Sequence, residues 1–314
     1  MENDFDIADP LFRRALAALD AGDADTLAQI LDSHPGLVRQ RLETPDEGYF
    51  RHPFLLYFIA DNPIRKGELP GNVVVMADII IRAIRQQAAD TMQEQLNYAL
   101  GLVATGRIPR ECGVQAELID LLIDAGAVPG DGIGALANGN PEAAWQLIRR
   151  GGRLTLAAAA GIGFERVGIR SAEEVDRVIA GADKRERQLV IVVAAFYGRA
   201  DILARMIEFG SVPGTGPAVS PGEGAGMDLD AYPDEASGFH SHGTALHQAV
   251  SSGSLAAVKV LVEAGANTGK KDKVYDGTPL DWAEYMMNEP GTGEEVKERF
   301  GRIVDYLRGV MRGR

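Results

Sequence analysis

The chain has 314 residues, 46% hydrophobic and 25% charged, a balance that supports a packed core and excludes disorder of the whole chain. Lys and Arg total 32 against 45 Asp and Glu, a net charge of −13, which excludes general affinity for a polyphosphate surface without a locally basic face. A single cysteine, Cys112, excludes an internal disulfide and fits a reducing compartment.

The N-terminus, Met1-Glu2-Asn3-Asp4, is acidic and lacks the basic-then-apolar order of a signal peptide. No apolar run reaches the roughly 18 residues needed to cross a membrane. The best candidate, Val73 to Ile84, is interrupted by Asp78 and Arg82. A cytoplasmic protein with no membrane and no nucleic-acid partner is expected.

Taken in order, the chain reads as repeated helix pairs. The turn Ala21-Gly22-Asp23-Ala24-Asp25 leads into Leu27, Ile30 and Leu31 at helical spacing. A second pair starts near His52-Pro53-Phe54-Leu55-Leu56-Tyr57. It reaches Val73 only after a long loop with Pro63, Gly67, Pro70 and Gly71. Cys112 opens the apolar stretch that follows and reads as a small buried residue. Leu118, Leu121 and Leu122 close on Ala125-Gly126-Ala127. Ala137-Asn138-Gly139-Asn140 leads into Ala144, Leu147 and Ile148 before Arg150-Gly151-Gly152. The segment 161–170 is irregular. Ser171-Ala172-Glu173-Glu174 is a capping-box start. Val190 to Val193 has strand propensity but sits inside a helix-length run from Lys184 to Tyr197. Phe196 to Asp201 is the next turn, followed by Leu203, Met206, Ile207 and Gly210.

Pro213 to Ser241 breaks the pattern. Pro213, Pro217, Pro221 and Pro233 alternate there with repeated glycines, and a segment this long within a compact array is disordered or functional. Its first half, 214–226, reads as flexible linker. Its second half carries Asp228, Asp230, Tyr232, Phe239, His240 and His242.

Beyond it the repetition is clearest. Gly243-Thr244-Ala245-Leu246-His247-Gln248-Ala249 lines up with Gly277-Thr278-Pro279-Leu280-Asp281-Trp282-Ala283, 34 residues later. Between them come the turn Ser251 to Ser254, the stripe Leu255, Val258, Leu261 and Val262, and the stop Ala264-Gly265-Ala266-Asn267. Glycine there supplies the left-handed conformation that ends a helix. The final helix, Val296 to Met311, is amphipathic. Its basic residues Arg308, Arg312 and Arg314 complement the negative helix end.

Residues 242–290 resemble an ankyrin repeat protein of bacterial type, with Thr244-Ala245-Leu246-His247 matching the family's Thr-Pro-Leu-His. Thr278-Pro279-Leu280 repeats that signature, Ala264-Gly265-Ala266-Asn267 resembles the family's helix stop, and Asp272 sits where the family's loop aspartate does. The resemblance implies an all-α solenoid of roughly seven to eight helix pairs. Divergent repeats would span 1–213, an insertion 214–241, and closely matching repeats with a capping helix 242–314. It also implies protein–protein recognition through a concave face, and that His247 hydrogen-bonds between neighbouring units.

Several residues stand out as candidates. His240 and His242 alternate, so an extended chain points both to one side, as a two-histidine metal site begins. A third spaced ligand is missing, and no metal is expected. His242 aligns with Asp276, at a turn position suited to local hydrogen bonds. Tyr275, Phe239, Trp282 and Tyr285 are divided between packing and contact with a partner. Lys270, Lys271 and Lys273 read as a solvated turn. Gly161-Ile162-Gly163 and the glycines of 130–134 follow no strand, so no dinucleotide cofactor is expected. The acid pairs Asp46-Glu47, Glu173-Glu174 and Glu294-Glu295 fall in loops or first helical turns, where negative charge is favourable. The expected partner is another protein, with no catalytic residues. The alternative is a small-molecule site or enzyme whose pocket forms where 227–242 folds over the groove. That alternative requires Asp228, Asp230, His240 and His242 to converge.

Overall fold

The computed structural model describes residues 7–43, 48–211 and 227–313. The expected linker 214–226 and the Asp46-Glu47 pair lie outside the described residues. Among the described residues every regular element is helical and none is a strand. The chain divides into two compact units, Met1–Arg153 and Leu154–Arg314.

The first unit begins with α1 (Pro10–Ala21) and α2 (Ala24–Ser33). Asp9 accepts the amides of Leu11 and Phe12, Pro10 opens the helix without needing a donor, and Gly22 closes it in the left-handed conformation. A 3-10 helix at Leu55–Ala60 precedes α3 (Val73–Gln87). Then come α4 (Met92–Thr105), the short α5 (Arg107–Glu111), α6 (Gln115–Ala125), α7 (Ile133–Ala137) and α8 (Pro141–Arg149). The packing has two rows. α1, the 55–60 helix, α4 and α7 touch in succession to make a front row, and α2, α3, α6 and α8 make the back row. Phe12, Leu56, Ile80, Val103 and Leu122 are fully buried between them, each contributing about 1.5–3 kcal/mol.

Two expectations are corrected here. Cys112 is exposed, not buried. It caps α5 in the turn to α6, and the buried stripe begins only at Gln115 and Leu118. The segment around Phe54–Tyr57 tightens into a 3-10 helix rather than a full α-helical turn.

The second unit repeats the layout. It comprises α9 (Leu156–Ile162), α10 (Ala172–Gly181), α11 (Lys184–Phe196), α12 (Ala200–Ser211), α13 (Ala245–Ser251), α14 (Leu255–Glu263), α15 (Pro279–Asn288) and α16 (Glu294–Arg312). α9, α11, α13 and α15 form the front row; α10, α12, α14 and α16 form the back. Ser171 and Glu174 make the capping box of α10. Val190 to Val193 lies inside α11. Arg308 does not complement its own helix end: it pairs with Glu284 of α15 at 2.9 Å. No helix among the described residues is long and apolar enough to cross a membrane.

Successive pairs are keyed together at their turns. Gly198, between α11 and α12, has φ +63 and would place a Cβ 2.7 Å from the Ser254 Cβ. Ser254 caps α14 through the Ala257 amide and donates to the Gly198 carbonyl at 3.2 Å. Gly198→Ala is therefore expected to cost about 2 kcal/mol, from a strained backbone and a displaced cap, measured as a lower urea midpoint.

Candidate binding surface

The surface is organised around α13 and the loop between α14 and α15. His247, fully buried in α13, is held from both sides. The Thr244 amide donates to Nδ1 at 3.1 Å, and Nε2 lies 3.1 Å from the Gly277 carbonyl. An amide only donates and a carbonyl only accepts, so Nδ1 is bare and Nε2 carries the proton. Burial pushes the His247 imidazole below its ordinary range, although the Gly277 bond and the Asp272 charge act the other way. The ring therefore stays neutral and donates to the next helix pair.

Asp272 organises the following loop. Its carboxylate accepts the amides of Val274, Tyr275 and Gly277 at 2.7 to 2.9 Å and Trp282 Nε1 at 3.0 Å. Burial alone would raise its pKa, but these four donors outweigh it and hold the carboxyl at about 2. The loop is thereby fixed with Tyr275 75% exposed. Asp276 follows with φ 56 and pairs with Lys271 at 2.5 Å. In the next pair Asp281 closes on its own cap, accepting from the Thr278 amide and hydroxyl at 2.7 Å.

The described half of the insert, 227–241, lies against α11 and this loop. Gln188 of α11 accepts the Asp228 amide at 3.0 Å and donates to the Asp228 carbonyl at 2.8 Å. The Asp228 carboxylate turns back to the Asp230 amide, and Asp230 accepts the Asn267 amide at 2.8 Å. Tyr232 Oη donates to the Lys271 carbonyl at 2.6 Å. Lys273 Nζ lies 4.2 Å and Lys270 Nζ 5.3 Å from the Tyr232 ring centre, a cation–π arrangement. The expected solvated lysine turn is thus engaged at Lys270, Lys271 and Lys273. Phe239 is buried and packs edge-on against Phe196 at 5.2 Å.

The histidines end the insert among aromatic rings. The His240 and His242 ring centres are 5.7 Å apart. Both approach Trp282, at 6.0 and 5.5 Å, and His242 meets Tyr275 at 5.6 Å. Burial of its ring, then the neighbouring His242, push His240 below its ordinary range. The structure therefore brings His240 and His242 together at Trp282, with Tyr275 against His242, while Phe239 turns away to Phe196. It does not bring Asp228 and Asp230 to the histidines: both acids are spent on backbone amides. Asp276 pairs outward with Lys271. Among the described residues no three His, Cys, Asp or Glu side chains gather as a metal site.

Sequence reasoning passed over Arg185, Gln188 and Phe196 of α11. They sit about forty residues from the segment they hold, so no local pattern announces them. An open depression of about 440 Å³ lies in the first unit, lined by Val128 to Asp131, Gly151 and Arg153, residues outside the insert. No curated protein matches the chain. Residues 242–273, which carry His242, His247 and Asp272, match the family model described as Ankyrin repeat, a kind of repeat that in general mediates protein–protein interaction.

Proposed function

We propose that the chain is a protein-binding module built of seven to eight stacked ankyrin-type helix pairs, which recognises another protein through its front-row helices and loops around residues 242–273. The observation that carries this reading is the open cluster of His240, His242, Tyr275 and Trp282, in which Asp272 accepts from the Tyr275 amide and Trp282 Nε1 and so fixes two of the four. Aromatic side chains on a preorganised support bind with little ordering cost, which is why Trp and Tyr dominate interface hot spots. A pocket beneath the insert is less well supported, because the insert packs its own Phe239 on Phe196 of α11 and bonds its own Tyr232 to the Lys271 carbonyl.

The test is affinity capture by the intact chain beside a Tyr275→Ala, His242→Ala variant with an unchanged thermal transition. A protein retained by the intact chain is expected to lose about tenfold or more in affinity for the variant, about 1.4 kcal/mol. Equal retention by both chains, measured on the purified partner, overturns this surface as the binding site.

A further inference from the structure

The front face of α11 is covered by the chain's own segment 227–240. Residues 185, 188, 192 and 196 share one stripe of that helix. Arg185 pairs with Asp234, Gln188 exchanges two hydrogen bonds with the Asp228 backbone, and Phe196 packs against Phe239. Val192, on the same stripe, is only 1% exposed. The front-row helix α4 of the first unit differs: its stripe of Glu94, Tyr98 and Gly101 is exposed.

The other wall of this cleft is the loop 264–278. It contributes the Asn267 amide to Asp230, the Lys271 carbonyl to Tyr232, and the ammonium groups of Lys270 and Lys273 over the Tyr232 ring. At the far end Gln248 of α13 donates to the His240 carbonyl at 2.9 Å. Backbone groups of the segment are thus gripped at both ends, on either side of its 3-10 helix Glu235–Ser237, as protein grooves grip a bound peptide. The charges also match. Segment 227–240 holds Asp228, Asp230, Asp234 and Glu235 with no Lys or Arg, and the walls present Arg185, Lys270 and Lys273.

We infer that the cleft between α11 and loop 264–278 is a peptide-binding groove occupied in cis by residues 227–240, and that its external ligand is an acidic segment carrying a tyrosine and a phenylalanine spaced as Tyr232 and Phe239 are. The cis segment competes at an effective concentration on the order of millimolar. The free groove is a minor state, and an external segment binds in proportion to its population. This groove goes beyond the reading placed on Tyr275 and His242, and its test changes neither residue, so either can fail alone.

The experiment uses a fluorescein-labelled synthetic peptide of residues 227–240, titrated by anisotropy. One target is the intact chain. The other carries Tyr232→Ala, Asp234→Ala and Phe239→Ala, which loosens the cis segment and leaves both groove walls unchanged. The peptide is expected to bind the loosened chain about tenfold tighter than the intact one. Adding Gln188→Ala to the loosened chain is expected to remove most of that gain. Equal affinity for the two chains, no binding to either, or indifference to Gln188→Ala overturns the groove. Because Phe239 is 3% exposed and its loss can unfold the unit, hydrogen exchange on the intact chain provides a second reading. Excess peptide is expected to speed exchange of the amides in 228–240 while those of α14 stay protected. Unchanged exchange in 228–240 overturns the displacement.

Discussion

Asp272→Ala is expected to lower the stability of the second unit by about 3 kcal/mol, read as a lower urea midpoint with an unchanged slope. The carboxylate is 3% exposed and accepts four hydrogen bonds, three from backbone amides and one from Trp282. Alanine removes the acceptor of all four donors at once, in a part-buried loop turn. A loss below about 1 kcal/mol would show that the loop does not depend on this residue. The same residue has a pH signature. Its folded pKa, about 2, lies below the ordinary 3.8, so the unfolded chain binds the proton more readily. The contribution is therefore complete above the ordinary carboxylate value and is lost as pH falls from there through about 2, a change of about 2 kcal/mol. Asp272→Asn keeps the shape and is expected to abolish that slope.

His247→Ala is expected to cost about 3 kcal/mol as well. The ring is fully buried, bonded at both nitrogens, and 5.0 Å from the Trp282 ring centre. Its imidazole sits below its ordinary range in the folded chain, so the native state favours the neutral form. Stability is then complete above the ordinary imidazole value of about 6.5 and declines as pH falls below it toward the folded pKa. His240 is shifted the same way and adds to the decline, whereas the nearby Asp272 charge opposes the shift of His247. Thermal melts at pH 7.5 and pH 5.0 (about one unit above and more than one below that value) separate the two histidines. His247→Gln is expected to flatten the difference more than His240→Gln does. An equal effect of the two variants would count against His247 as the main acid-sensitive group. The two losses are not expected to add in Asp272→Ala, His247→Ala, because both residues contact Trp282.

What could be read from the sequence was local chemistry. Ser171 and Glu174 are three residues apart and cap the same turn, so spacing alone points to them. The run from Lys184 to Tyr197 was long enough to decide helix over strand, and α11 covers it to Phe196. What escaped depended on distance along the chain. Arg308 reads in sequence as a partner of its own helix end, yet Glu284, with which it pairs, lies on another helix. Cys112 reads as buried because apolar residues follow it, yet it occupies the turn before them, beside Gly113 at φ 74. The acids of the insert group with its histidines only in that they are near in sequence. Gln188 and Asn267 pull Asp228 and Asp230 elsewhere.

The proton on His247 Nε2 gives the second unit a direction. The ring receives from Thr244 in its own turn and gives to Gly277 in the following one. The carboxylate at the matching place, Asp281, has no proton to hand on and closes on Thr278. The two segments are therefore not interchangeable modules: one transmits and the other terminates. A chain in which 243–276 is duplicated in tandem keeps a donor for every junction it creates, whereas one in which 277–290 is placed ahead of 243 leaves a carbonyl facing a carboxylate at the joint.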